Sequence, residues 1–217
     1  MPLELNHAVR RLFLDRALPL GLLLCLGSPL LSDDSSVITP RAEPFDYPAN
    51  VANGDVALGA RVVPQKEVRK VFRDRLFPND RLQRLSQNFT VVEVGFYPSD
   101  KKAVAINLQA FHLMSGQRPV AAVTPQDAVF ELIHGRPRDS PIQLAGKARK
   151  NEHSNLYENA MSGALFLRAL PVEARSGPRA GYLYFSAKPK DWKGAESLIV
   201  EYVWDGKPIK LVLPVSR

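Results

Sequence analysis

A chain of 217 residues, 45% of them hydrophobic and with both charge signs present, is long enough to bury one core of ordinary size. That excludes a disordered polymer and makes one folded domain with appendages the expectation. The formal charge of +7 admits nucleic acid, anionic lipid or an acidic polymer as partners without selecting one, and the single cysteine, Cys25, excludes an intramolecular disulfide and a multi-cysteine metal site.

Residues 1–16 carry Arg10, Arg11 and Arg16 against Glu4 and Asp15, and residues 17–31 are uncharged and mostly apolar. The run is shorter than the roughly 20 residues a spanning helix needs. It is also broken by Pro19, Gly21, Gly27 and Pro29. A basic segment followed by a short apolar one is the pattern of an export signal, or of a membrane anchor if left uncleaved. Arg10-Arg11-Leu12-Phe13-Leu14 resembles the core of a bacterial twin-arginine export motif. Leu24 is too large for the position before a lipidated cysteine. Residues 32–54, rich in Ser, Asp and Pro, read as a flexible linker, and the folded domain is expected over residues 55–217.

The domain opens with a strand over 56–63. Pro64 then starts a helix with Val68, Val71 and Phe72 on one stripe and Lys66, Arg69, Lys70, Arg73 and Arg75 on a solvated face. From Thr90 the alternation of Val92, Val94 and Phe96 predicts a half-buried antiparallel strand. Val104, Ile106 and Leu108 continue at period two, and the parity changes at Phe111 and Leu113, which places a bulge or sheet switch near Gln109-Ala110. Thr124 is an N-cap, followed by Pro125 at the first helical position and Asp127 at the third, where its charge favours the positive helix end. That helix buries Val129, Leu132 and Ile133 and stops at Gly135.

Residues 135–156 are polar and basic and read as a mobile loop, with a further helix over about 156–170 that puts Ala160, Ala164 and Leu167 in phase. Together these make residues 124–170 a helical and loop insertion. The last stretch, 180–214, identifies the fold class. Asp205-Gly206 between two β-branched and aromatic runs is a type I′ hairpin signal. A two-residue turn sets Trp204 against Lys207, Tyr202 against Ile209, Val200 against Leu211 and Leu198 against Leu213 on an apolar face. Glu201 then meets Lys210 on the other face, and a one-residue slip would bury both charges.

Catalytic and cofactor signatures are absent. There is no Gly-x-Ser-x-Gly elbow, no glycine-rich phosphate cradle and no His-x-x-x-His spacing, so no catalytic residue, metal or cofactor is assigned. His112 sits on a strand between two core residues and points away from them. His134 suits a helix C-terminus, and His153 lies in the polar loop. Asn88-Phe89-Thr90 matches a glycosylation sequon by chance, since Thr90 falls on the core face. The residues left for recognition are the basic loop set Arg136, Arg138, Lys147, Arg149 and Lys150, and the pair Tyr182 and Tyr184, which share one face of a strand. A covering helix is the competing reading of the two tyrosines.

The export-like N-terminus, the run from Asn88 to Val94, Phe111-His112-Leu113, and Gly181-Tyr182-Leu183-Tyr184-Phe185 with the closing hairpin resemble the uncharacterised immunoglobulin-like β-sandwich domains of bacterial extracytoplasmic proteins. The resemblance covers roughly residues 55–214. It implies a mainly β, antiparallel immunoglobulin-like sandwich with two or three inserted helices behind a signal or anchor helix, located in the periplasm or cell envelope. It carries over no catalytic residue. The expectation is a non-enzymatic binding or scaffold module whose partner is an envelope protein or polymer and not nucleic acid, with membrane contact only through the N-terminal segment. The alternative is an extracytoplasmic hydrolase with a site on the 135–156 loop.

Overall fold

A computed structural model describes residues 38–73, 77–99, 103–115, 118–135, 137, 152–192 and 197–214. Eight strands form one antiparallel sheet: β1 (Ala49–Ala52), β2 (Val56–Val62), β3 (Thr90–Pro98), β4 (Phe111–Ser115), β5 (Arg118–Val123), β6 (Arg179–Phe185), β7 (Ser197–Trp204) and β8 (Lys207–Pro214). Their order is β1-β2-β3-β6-β5-β4-β7-β8. Among the described residues there are four α-helices: α1 (Gln65–Val71), α2 (Asn79–Asn88), α3 (Pro125–His134) and α4 (Glu152–Phe166). None is long and apolar enough to cross a membrane. The mainly β, antiparallel expectation therefore holds. The three N-terminal strands, however, are neighbours in chain order, with α1 and α2 in the β2–β3 connection, and that differs from the strand order of an immunoglobulin domain.

The hairpin takes the register that its sequence specifies. Trp204 pairs with Lys207, Tyr202 with Ile209, Val200 with Leu211 and Leu198 with Leu213. Asp205 and Gly206 both have positive φ, 46° and 72°, as a type I′ turn requires. Lys210 Nζ stands 3.2 Å from Glu201 Oε2, a pair of an exposed lysine and a half-buried glutamate that contributes a few tenths to about 1 kcal/mol. Gly206→Val is expected to destabilise the protein by about 1 kcal/mol or more, because a β-branched residue is strained at positive φ. An unchanged melting temperature would contradict that. β8 lies at one edge of the sheet, with proline as its second and last residue.

Two apolar clusters explain the burial pattern. On the inner face Val56, Leu58 and Ala60 of β2 and Val92, Val94 and Phe96 of β3 meet Phe111 and Leu113 of β4, Val200 and Tyr202 of β7, and Ile209, Leu211 and Leu213 of β8. Phe111 stacks on Tyr202 with ring centroids 4.2 Å apart. β5 links the two halves by changing partner midway: residues 118–121 pair with β4, and Ala122 and Val123 pair with β6. The second cluster lies on the outer face. Val91, Tyr182 and Tyr184 pack there against Val68 and Phe72 of the α1 turn, Leu82 and Leu85 of α2, Val129 and Leu132 of α3, and Met161 and Leu165 of α4. β3 and β6 are consequently buried on both faces, where alternation predicted a half-buried β3.

Several local expectations change for identifiable reasons. Residues 38–54 are not a free linker, because β1 pairs with β2 and Tyr47 is buried. The Tyr47 ring lies over the cross-strand pair Gly59 and Gly95, where a Cβ on either glycine would collide with it. Thr90 donates its hydroxyl to Ala187 O at 2.8 Å and accepts from Trp192 Nε1 at 2.6 Å, so its side chain is fully engaged. Val104 and Ile106 do not continue a regular strand. They bond instead to the connector before β6, Val104 N to Arg175 O at 3.0 Å and Ile106 N to Val172 O at 2.9 Å. The parity change predicted near Gln109-Ala110 is a 3-10 turn, Leu108–Ala110. Helix α3 has the expected Thr124 cap and left-handed Gly135. Helix α4 starts and ends four residues earlier than expected, so Met161, Ala164 and Leu165 are buried while Leu167 is exposed. The export signal 1–31, and residues 136 and 138–151 of the basic loop, lie outside the described residues, while 152–156 belong to α4.

Candidate binding site

Of the residues singled out from the sequence, Arg10, Arg11, Arg136, Arg138, Lys147, Arg149 and Lys150 lie outside the described set. Tyr182 and Tyr184 do not form an outer platform. The four helices need an apolar sheet face, and these two rings supply it. Phe72 packs 5.4 Å from Tyr182 and 6.0 Å from Tyr184, ring centre to ring centre, and the Tyr184 hydroxyl donates to Leu165 O at 3.0 Å. Burial raises the pKa of both phenols, Tyr182 to about 12 with help from the Glu93 charge, and Tyr184 well above its ordinary value.

Next to Tyr182 the pairing of β2 with β3 sets Arg61 opposite Glu93. Arg61 Nε donates to Glu93 Oε2 at 2.6 Å, and the rest of its fork binds both oxygens of Glu67 on α1. Arg41 stands 3.7 Å from Glu93 and lies over the Tyr47 ring, 4.4 Å from its centre. This network fastens α1 and the 41–47 segment to the sheet, so its charges are committed to structure. The hydrogen bond from Arg61 holds the Glu67 carboxyl below its ordinary pKa. A carboxylate depressed in the folded state gives stability that is present above its unfolded pKa and is lost as pH falls through the folded value. Urea midpoints are therefore expected to drop below the ordinary carboxylate range, and Glu67→Gln should flatten that drop.

Two cavities remain as candidate sites. The first, about 320 Å³, lies between β5 and α3 and is lined by Gln109, Thr124, Asp127, Glu131 and Pro137. Asp127 and Glu131 are one helical turn apart. The Thr124 hydroxyl donates to Asp127 Oδ2 at 2.7 Å, and the Ser186 hydroxyl donates to Glu131 Oε1 at 2.6 Å. Among the described residues no group of three His, Cys, Asp or Glu is placed to hold a metal ion.

The second cavity follows from how α4 ends. After Phe166 the chain turns so that Arg168 O accepts from Tyr182 N at 2.8 Å and Leu170 N donates to Tyr182 O at 3.1 Å, which completes the free edge of β6. The residues after it bond to 104–106 as described. The walls so formed enclose about 170 Å³, lined by Leu108, Phe166, Leu167, Leu170 and Val172, with Glu173 and Arg175 on the polar side. Phe166 and Leu167 remain 58% and 52% exposed at its mouth. Behind the rim sits Arg179, 5% exposed. Its Nη1 donates to Glu173 O at 2.8 Å and its Nη2 to Val104 O at 2.6 Å, and the guanidinium lies over Phe96. Its Nε has no partner, and no described carboxylate is within ion-pair distance. Burial, and then the charge of Arg175, hold its pKa below the usual arginine value.

Sequence reasoning assigned these residues to a helix and a connector and missed the site. One signal was available: Ala164-Leu165-Phe166-Leu167 is a longer apolar run than a single helix face can bury.

No protein-family model matches this chain, and no curated protein matches it either. The crystal structure of a functionally unknown protein from Listeria monocytogenes EGD-e resembles it with a TM-score of 0.35 and 12% identity, over 76% of this chain and 80% of that one.

Proposed function

We propose that the chain is a non-enzymatic binding module of the bacterial cell envelope, exported through residues 1–31 and engaging an envelope protein or polymer at the surface where α4 meets the connector to β6. The observation that carries this reading is the exposure of Phe166 and Leu167 at the mouth of an apolar cavity. Adjacent large apolar side chains around a concavity are more characteristic of interaction sites than of ordinary surface. The basic-then-apolar N-terminus supports the compartment. In architecture the reading is a sandwich-like wrap. Its support is that the β1-β2-β3-β6 half and the β5-β4-β7-β8 half contribute to one inner cluster.

A photo-crosslinking residue at position 167, in the full chain expressed in cells, is expected to give a discrete adduct in the envelope fraction, and the same residue at Lys66 on α1 none. Wild-type protein recovered from the cytoplasm with residues 1–31 intact would overturn the compartment. The absence of an adduct at position 167 would overturn the site. The hydrolase alternative is favoured by one feature, the presence of Asp127 and Glu131 on the wall of the cavity between β5 and α3. Turnover of a chromogenic ester, amide or glycoside by the wild type but not by Glu131→Gln would replace the binding reading.

A further inference from the structure

The apolar cavity and its rim carry more information than the presence of a binding surface. With about 170 Å³ the cavity is close to the roughly 150 Å³ known to hold one benzene-sized group. It accommodates one aromatic ring or branched aliphatic side chain and is too small for a long acyl chain. Phe166 and Leu167 extend the apolar surface beyond the cavity mouth, a margin that a lone small molecule would leave in water and a polypeptide would cover.

The rim adds a sign. Arg175 is exposed there and pairs only loosely with Glu173, at 3.5 Å. Arg179 is buried behind it with two backbone carbonyls as partners and no carboxylate. Two guanidiniums therefore stand against one carboxylate, Glu173, at this rim. Arg179 has only backbone carbonyls as hydrogen-bond partners and shares the Glu173 charge with Arg175, so an acidic group brought to the rim supplies a second counter-charge.

We infer that this surface takes an acidic polypeptide segment, which inserts one aromatic or branched aliphatic side chain into the cavity and sets an acidic neighbour against Arg175. The inference rests on the binding-module reading and names the partner's chemistry. The phenyl or isobutyl group fills the space between Leu108, Leu170 and Val172, the peptide backbone runs over Phe166 and Leu167, and the carboxylate competes with Glu173 for the Arg175 fork.

The test uses the full chain and three fluorescein-labelled peptides read by anisotropy: Phe flanked on each side by two Glu, the same peptide with Ala in place of Phe, and the same with Lys in place of Glu. The Glu-flanked Phe peptide is expected to bind at least about tenfold tighter than either control, a difference of about 1.4 kcal/mol. Arg175→Glu should invert the preference between Glu and Lys flanks, and Leu167→Asp should remove binding of the Phe peptide. Both substituted side chains are exposed, so the fold is retained and circular dichroism checks it. Equal binding of the Ala peptide would reduce the effect to attraction by a basic chain and overturn the inference. So would a flank preference that survives Arg175→Glu. If the peptides fail while the crosslink at position 167 persists, the acidic partner is wrong and the binding module stands. If both fail, both readings fall.

Discussion

Gly181→Val is expected to lower the unfolding free energy by about 4 kcal/mol or more, which places it among the most damaging single substitutions a domain of this size meets. A Cβ at position 181 would overlap the backbone N and Cα of Leu170 and the carbonyl carbon of Ala169. Backbone atoms cannot swing aside as a flexible side chain does, so the 168–170 segment must leave the edge of β6. Its two hydrogen bonds to Tyr182 go with it, and Leu170 is withdrawn from the inner core. Each lost bond costs about 1 kcal/mol, and the overpacking or the vacated core adds the rest. Against a total stability of about 5–15 kcal/mol, the variant should show a sharply reduced urea midpoint or accumulate as insoluble protein. A midpoint within experimental error of the wild type would show that the segment does not rest on β6.

Glu93→Ala is expected to cost about 3 kcal/mol. The carboxylate is buried, and its removal strands Arg61 and Arg41 around a vacated site. Breaking a buried pair by deleting one partner costs about 3–5 kcal/mol. The lower end applies because the Arg61 side chain keeps 23% of its surface in water and Glu67 remains as a second partner. The comparison that isolates charge from packing is Glu93→Ala with Arg61→Met. If the second substitution recovers a substantial part of the loss, the stranded guanidinium was its source. If it adds a further loss of similar size, the pair stabilises through packing and the stranded-charge explanation is wrong.

Elements specified by neighbouring residues were legible in the sequence. The β7-β8 hairpin needs only the Asp205-Gly206 turn and the alternation on either side of it, and α3 needs only Thr124, Pro125 and Gly135. Elements that depend on remote partners were not. β1 is four residues of ordinary composition, and what orders it is its pairing with β2 and the docking of Tyr47 over Gly59 and the remote Gly95. Tyr182 and Tyr184 read either as a recognition face or as a face under a helix, because alternation reports that a strand has two faces and says nothing about what covers the second. Helix α2 was missed because its buried stripe is only Leu82, Leu85 and Ser86. The candidate site was illegible for the same reason: its walls come from 108, 125, 166–167, 169–173 and 175, held together by backbone bonds that leave no mark in local composition.

The prolines of β8 have a further consequence. The hairpin register makes residues 207, 209, 211 and 213 the hydrogen-bonded partners of β7, so the amide positions of 208, 210, 212 and 214 face away from it. Pro208 and Pro214 have no N–H to offer, which leaves only Lys210 and Val212 as donors along the free edge. A second chain adding itself there by strand pairing would find two of the four outward N–H donors missing. The missing donors and the closeness of β1 and β2 to β8 both discourage edge-to-edge pairing.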